Sequence, residues 1–261
     1  MPAYTYRNIP PSRIATFDIF SIGLAKHHVA ALLELDVTES RAKLKAHKHT
    51  AAKISFTAWL IKVLSTALSQ HPAAAAYLYN KRKLMLFNDI NISMIVEKKL
   101  GDARVPIPLV IPKTQEKSAA EITQIIEQAK NQPLSDHDIV LNKSAKFYEK
   151  LYYHLPGFMR RMIWRYLLRH PKIAFKNMGN AIVTSLGMIG TLHGWFMHKS
   201  VHPISFGVGA IVKKPWVVND AIQIREILNM TILMDHDVID GAPMVRFVND
   251  LSQMLEKGAG L

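Results

Sequence analysis

The chain has 261 residues, 49% of them hydrophobic, and a formal net charge of +13. This length and apolar content suffice for a sizeable core, and the lack of cysteine excludes disulfides, a cysteine nucleophile and zinc–thiolate sites. The charge is concentrated, because the stretch from Lys143 to Lys176 holds nine basic residues and one acid, Glu149. No nucleic-acid-reading motif accompanies it, so we do not expect nucleic acid as a partner.

The N-terminal sequence "MPAYTYRNIPPSR" lacks the basic-then-apolar pattern of a signal peptide. No uncharged apolar run reaches the roughly 18 residues that span a bilayer. We therefore expect a cytoplasmic protein.

The first half of the chain mixes strands and helices. "HVAALLELDV" has the composition of a strand, and "ISFTAWLIKVLSTALSQ" predicts an apolar helix that Pro72 ends. "RVPIPLVIP" must be extended, because its prolines exclude helix. Ser118 and Glu121 form a capping-box pattern that starts another helix.

The second half ends in two strands and a helix. "ISFGVGAIV" and "ILNMTILM" predict strands, and the last helix shares one apolar face among Met244, Val248, Leu251 and Leu255. The pattern as a whole indicates an α+β fold with a large mixed β-sheet flanked by helices.

Residues 135–179 differ in character from the rest. Their sequence predicts two short helices that are both basic and aromatic, with Arg161, Arg165 and Arg169 recurring at every fourth position. Such an element is either a packed helical hairpin or a contact for an anionic membrane or a partner, with Trp164 among the contacting residues.

The stretch "TILMDHDVIDG" places His236 directly after a predicted buried strand, with Asp240 and Gly241 shortly behind it. A histidine held at the end of a strand can act as a general base towards a thiol or hydroxyl. By itself the His-x-x-x-Asp-Gly pattern is a moderate signal, because most histidines near acids are structural or solvated.

The surroundings make the pattern more specific. "MDHDVIDGAPMVRFVNDL", "IVTSLGMIGTLHGW" and "PISFGVGAIVKKPWV" resemble the catalytic domain of the dihydrolipoyl acyltransferases of 2-oxo acid dehydrogenase complexes. That family shares its fold and histidine motif with chloramphenicol acetyltransferase. The resemblance covers nearly the whole chain, which we take as one catalytic domain, residues 1–261, with residues 135–179 as a basic helical insertion.

The resemblance implies roles for individual residues. His236 falls on the family's general base, and Thr184 falls on the hydroxyl that stabilises the oxyanion, with Ser185 as the other candidate. Asp240 falls on the carboxylate that braces the active-site turn, and Arg13 on its ion-pair partner. Gly241 would allow a tight turn into the last helix. The chemistry requires no metal.

The resemblance also implies substrates and assembly. We expect an acyltransferase that moves an acyl group between a thioester and a thiol or other acceptor, with coenzyme A as substrate. We expect a homotrimer, or a larger trimer-based assembly, in which His236 faces Thr184 of the neighbouring subunit. No lipoyl or subunit-binding domain is recognisable upstream, so the chain would either use a lipoyl group carried by another protein or take a different donor, such as an acyl-CoA.

The role of Asp237 and the catalytic activity itself have alternatives. Asp237 stands where the family usually has arginine, which would raise the pKa of His236, alter acyl or coenzyme A recognition, or simply point to solvent. The chain could instead be a non-catalytic oligomeric scaffold, or a membrane-surface binding protein built on an acyltransferase fold. A peripheral membrane location would agree with the basic insertion.

Overall fold

The computed structural model describes residues 2–6, 11–47, 53–80, 82–100, 103–132, 152–185 and 193–261. The helices are α1 (Pro11–Gly23), α2 (Thr38–His47), α3 (Phe56–Gln70), α4 (Ala119–Asn131), α5 (Gly157–Arg169), α6 (Pro171–Met178) and α7 (Gly241–Glu256). The strands are β1 (His28–Asp36), β2 (Tyr77–Tyr79), β3 (Lys83–Met85), β4 (Ile92–Leu100), β5 (Ala103–Ile111), β6 (Ala181–Ser185), β7 (Ile204–Val218) and β8 (Ala221–Asp235).

Six strands form one mixed sheet in the order β1-β8-β7-β6-β4-β5. The short strand β6 runs parallel to both of its neighbours, β4 and β7, and the remaining pairs are antiparallel. The strands β2 and β3 make a separate two-stranded sheet. The α+β fold with a large mixed sheet, predicted from the sequence, is confirmed.

The core lies between one face of the sheet and the helices α3, α4 and α7. Helix α3 is central, and its Trp59, Leu60 and Leu64 are completely buried. It ends at Gln70, just before Pro72 starts a 3-10 turn, as the sequence indicates. From α7, Phe247 and Leu251 enter the same core.

The capping box at the start of α4 forms as predicted. The Glu121 amide donates to Ser118 Oγ at 3.2 Å, and the Ser118 amide donates to Glu121 Oε2 at 2.7 Å. Two orphan donors of the first helical turn are satisfied in this way. Helix α4 therefore begins directly after Ser118, and its Ile122 and Ile126 pack into the core.

The described part of the predicted insertion consists mainly of α5 and α6. Residues 135–151 of it lie outside the described residues. Helix α5 packs against α1, away from the main core. Among the described residues, no helix is both long and apolar enough to cross a bilayer.

Candidate active site

The turn that carries His236 is built around a buried carboxylate at the end of β8. Asp235 has a completely buried side chain, and its Oδ2 lies 2.5 Å from Lys26 Nζ. Its Oδ1 accepts a hydrogen bond from the Asp237 amide at 3.2 Å. Its carbonyl oxygen accepts from the amide of Val238 at 3.0 Å. Asp235 thus ties the strand, the turn and Lys26 together.

The start of β1 holds the other side of the turn. The His236 amide donates to the His27 carbonyl at 2.9 Å, and His27 Nδ1 lies 2.9 Å from Asp237 Oδ1. The hydrogen bond that His27 donates to Asp237 and the negative charge of Asp237 raise the pKa of His27. The side chain of His236 itself is exposed at the tip of this arrangement. The imidazole is therefore presented to solvent on a backbone that is fixed on both sides.

Three further histidines form a layer beneath the turn. His28 Nε2 donates to the His202 carbonyl at 3.0 Å, and His202 Nε2 donates to the Met178 carbonyl at 3.1 Å. Burial lowers the pKa of His202 to about 4, and burial likewise lowers the pKa of His198 to about 4. Both rings are neutral near pH 7, so they contribute packing and hydrogen bonds rather than charge.

Thr184 lies far from His236 within one chain. It is half-buried in β6, where it pairs with Gly207 of β7, which in turn pairs with Thr231 of β8. His236 follows Thr231 by five residues and lies two strands away from Thr184. With strands 4.8 Å apart and a rise of 3.3 Å per residue, the separation is roughly 15–20 Å. The two side chains of one chain cannot touch the same reacting atom.

The expected ion pair between Arg13 and Asp240 is not formed. Both side chains are exposed, and no ion pair joins them among the described residues. Asp240 is the N-cap of α7 but its carboxylate makes no capping hydrogen bond. The buried pair that braces this turn is Lys26 with Asp235. In the single chain, Lys26 and Asp235 therefore brace the turn, and the bracing role of Arg13 and Asp240 stays a prediction.

Gly241 is also not required by the turn. Its φ is outside the left-handed region, and a Cβ built on it would meet no heavy atom within 4 Å. The chain enters α7 through ordinary backbone geometry.

Sequence reasoning missed Lys26, His27 and Asp235 as parts of the site. A signal was present, because "KHH" precedes one predicted strand and "DHD" ends another. An antiparallel pairing of these two strands places His28 opposite Asp235, as the structure shows. The complementary charges could have suggested that register.

Known proteins match this fold and this part of the chain. The model of the 2-oxoacid dehydrogenases acyltransferase (catalytic domain) family matches residues 25–140 and 168–261. The chain belongs to this family. His236, Thr184, Asp240 and Gly241 fall within the matched ranges of the acyltransferase domain, whereas Arg13 and most of α5 fall outside them.

Individual relatives of this acyltransferase domain agree with the family match. A dihydrolipoyllysine-residue acetyltransferase component of the pyruvate dehydrogenase complex from Mycoplasma genitalium is 24% identical over 209 residues, 78% of this chain and 44% of the relative. The chain spans less than half the length of that relative. Other matched acetyltransferase components are longer still, and the chain covers 29% of the one from Corynebacterium glutamicum.

Solved structures match nearly the whole chain. The Azotobacter vinelandii dihydrolipoamide acetyltransferase is 19% identical, with a TM-score of 0.69 over 98% of this chain and 96% of that one. The cubic core of the pyruvate dehydrogenase multienzyme complex gives a TM-score of 0.68 at 20% identity, over 98% and 96%. A chloramphenicol acetyltransferase gives 0.52 at 11% identity, over 95% and 96%. The predicted chloramphenicol acetyltransferase-like fold is confirmed.

Proposed function

We propose that this protein transfers an acyl group between a thioester and a thiol or other acceptor, with His236 as general base. The observation that carries the proposal is the placement of His236. Its imidazole is exposed at the end of β8, while its backbone is held by His27 and by the Asp235 turn. A positioned, solvent-accessible imidazole is what proton abstraction from an incoming thiol requires.

The chemistry balances without a metal. The neutral imidazole of His236 takes the thiol proton, at modest cost because a thiol has a pKa near 8.5. The thiolate attacks the thioester carbonyl, and the oxyanion accepts a hydrogen bond from the Thr184 hydroxyl. When the intermediate collapses, the second sulfur leaves and receives the proton from His236. Coenzyme A is the proposed thiol carrier on one side of the exchange.

Residue spacing in a relative supports these assignments. In the Azotobacter vinelandii enzyme, a serine, a histidine and an asparagine were investigated for their role in catalysis; the serine precedes the histidine by 52 positions and the asparagine follows it by four. Here Thr184 precedes His236 by 52 positions and Asp240 follows it by four. Thr184 supplies a hydroxyl where that enzyme has serine, and Asp240 supplies a carboxylate where that enzyme has the asparagine amide.

The proposed site is completed by a second subunit. Since Thr184 of the same chain is out of reach of His236, the oxyanion donor has to come from a neighbour. A homotrimer, or a larger trimer-based assembly, provides one such site at each of its three subunit contacts. An exposed apolar face on the β7–β8 ribbon, formed by Val217, Ile222 and Ile224, offers surface for such contacts.

The acyl carrier opposite coenzyme A is proposed to be a thiol on another molecule. A relative named for acetyl transfer on a dihydrolipoyllysine residue supports a lipoyl group as that thiol. An anionic membrane surface is proposed separately as a further partner, because α5 exposes basic and apolar side chains. The cytoplasmic location stays a prediction.

Release of free coenzyme A tests the proposal. Acyl-CoAs of increasing chain length are incubated with the protein and with dihydrolipoamide, and the coenzyme A thiol is measured by mass spectrometry. Wild type and His47→Ala, a histidine on α2 remote in sequence from the site, should release it equally. His236→Ala should lose activity by a factor on the order of a hundred or more, the usual range for removing a general base.

The competing hypothesis is a non-catalytic scaffold on the same fold. Equal, slow release by wild type and His236→Ala would support the scaffold and remove the catalytic assignment. If the acyl group is transferred to dihydrolipoamide but not to other thiols, the lipoyl group is the acceptor class.

A further inference from the structure

Helix α5 is fastened to α1 through a buried polar network. The carboxylate of Asp18 is buried, and its Oδ2 accepts hydrogen bonds from Arg160 Nε at 2.7 Å and from the Tyr152 hydroxyl at 2.8 Å. The Tyr152 hydroxyl accepts from Trp164 Nε1 at 2.9 Å. Trp164 is therefore half-buried with its Nε1 directed at Tyr152, and its membrane contact stays a prediction. One face of α5 is fixed by these bonds.

The opposite face of α5 is apolar and exposed. Five apolar or aromatic side chains on this side of the helix are each 40–60% exposed: Phe158, Met159, Met162, Ile163 and Tyr166. Phe158, Met162 and Tyr166 are spaced four residues apart, and Met159 and Ile163 flank them. Soluble proteins rarely leave an apolar stripe of this length uncovered unless it contacts something. The described residues provide nothing that covers it.

A basic stripe runs beside the apolar one. Arg161, Arg165 and Arg169 are exposed and lie one helical turn apart, and Lys172 and Lys176 continue the exposed basic surface on α6. From residue 152 to 178 the sequence contains no acidic residue. This edge of the molecule is therefore positively charged over its whole length.

We infer that this exposed face of α5, together with the basic edge of α6, is a docking surface for an anionic lipid bilayer. Aromatic and apolar side chains enter the boundary between headgroups and acyl chains, and the flanking arginines contact lipid phosphates. Charge complementarity selects this occupant, since the arginines continue along the full length of the apolar stripe.

The hydrogen bonds that join α5 to α1 fix the orientation of the protein on the bilayer. Because Arg160 and Trp164 point inward, rotation of α5 is prevented and the stripe faces away from the protein. If the proposed trimer forms, three copies act together and their affinities combine. The inference itself needs neither the trimer nor the acyl transfer.

Vesicle co-sedimentation tests the inference without measuring activity. The whole protein is mixed with vesicles of phosphatidylcholine alone, or of phosphatidylcholine with phosphatidylglycerol. Wild type should sediment with the anionic vesicles only, and added salt should reduce the bound fraction. The variant Arg161→Gln/Arg165→Gln/Arg169→Gln should bind on the order of tenfold or more weakly.

A matched triple variant controls for loss of charge in general. Lys45→Gln/Lys83→Gln/Lys130→Gln neutralises three exposed lysines elsewhere and should bind vesicles nearly as wild type does. A second variant, Met162→Gln, tests the apolar stripe and should weaken binding without changing net charge. Thermal unfolding of each variant verifies that it is folded.

Three outcomes would overturn the inference. These are wild type remaining in solution with anionic vesicles, equal binding by the arginine variant and wild type, and equal loss in the lysine control. A change in oligomeric state of Met162→Gln, seen by light scattering without any vesicle binding by wild type, would instead identify the stripe as a subunit contact. Failure of coenzyme A release would leave this result unaffected.

Discussion

Lys26 and Asp235 form an ion pair in which the carboxylate is completely buried and the lysine is 21% exposed. A buried carboxylate without its partner is costly, whereas the intact pair is close to neutral in stability. The pair lies directly before His236, so its loss disturbs both the fold and the presentation of the imidazole.

Lys26→Met should lower the free energy of unfolding by about 3 kcal/mol, because it leaves Asp235 charged and buried. The double variant Lys26→Met/Asp235→Asn should recover part of that loss, since the uncompensated charge is gone. Arg13→Met should change stability by less than about 0.5 kcal/mol, as expected for an exposed side chain. Urea unfolding measures all three. A large loss of stability in Arg13→Met would support the bracing role that the family resemblance implies for Arg13.

Asp237→Asn should lower the pKa of His27 towards its ordinary value near 6.5, because the hydrogen bond from His27 to the Asp237 carboxylate and the charge of that carboxylate raise it. Below the raised pKa of His27, its imidazolium forms an ion pair with the Asp237 carboxylate. This ion pair is lost as the pH rises through that pKa. NMR titration of the His27 ring reports this directly. An unchanged titration in Asp237→Asn would show that the contact does not persist in solution.

Acid should destabilise the protein between pH 6.5 and 4 partly through His202. Burial lowers the pKa of His202 to about 4, so the unfolded chain takes up a proton in this window that the folded chain does not. Stability therefore falls as pH falls, by about 3 kcal/mol over the full window for this group. His202→Gln should flatten the dependence, as measured by urea unfolding at successive pH values. A slope identical to that of wild type would assign the effect to other groups.

Gly241→Ala should fold normally and gain up to about 1 kcal/mol, because alanine is favoured over glycine in a helix and the site has space for a Cβ. Thermal unfolding tests the stability. If acyl transfer falls while stability holds, the open space over Gly241 is occupied by substrate. A loss of stability would contradict the observed geometry.

Mixed assemblies should show that His236 and Thr184 act across a subunit contact. His236→Ala and Thr184→Ala are each expected to be impaired, but co-expressed they create contacts that pair an intact histidine with an intact threonine. With random mixing about a quarter of the sites are restored. Coenzyme A release by the separated proteins and by the mixture gives the answer. No recovery on mixing would place both groups of a working site in one chain.

Local sequence patterns specify the secondary-structure elements and the family motif of this protein. The capping box at Ser118, the helix ending before Pro72 and the strands around "ISFGVGAIV" all depend on local patterns, which short-range physics controls. The motif that contains His236 and Asp240 is likewise local. These features could be predicted without knowing which elements touch.

Which side chains meet depends on long-range packing and strand register. The register of β1 against β8 brings Lys26 to Asp235 and His27 to Asp237, and it depends on contacts more than 200 residues apart in sequence. Helical spacing showed that the residues of α5 form stripes, yet it could not say which stripe packs inward. The buried carboxylate of Asp18 settled that by binding Arg160, because an unpaired charge in that position would be far more costly than an exposed apolar stripe.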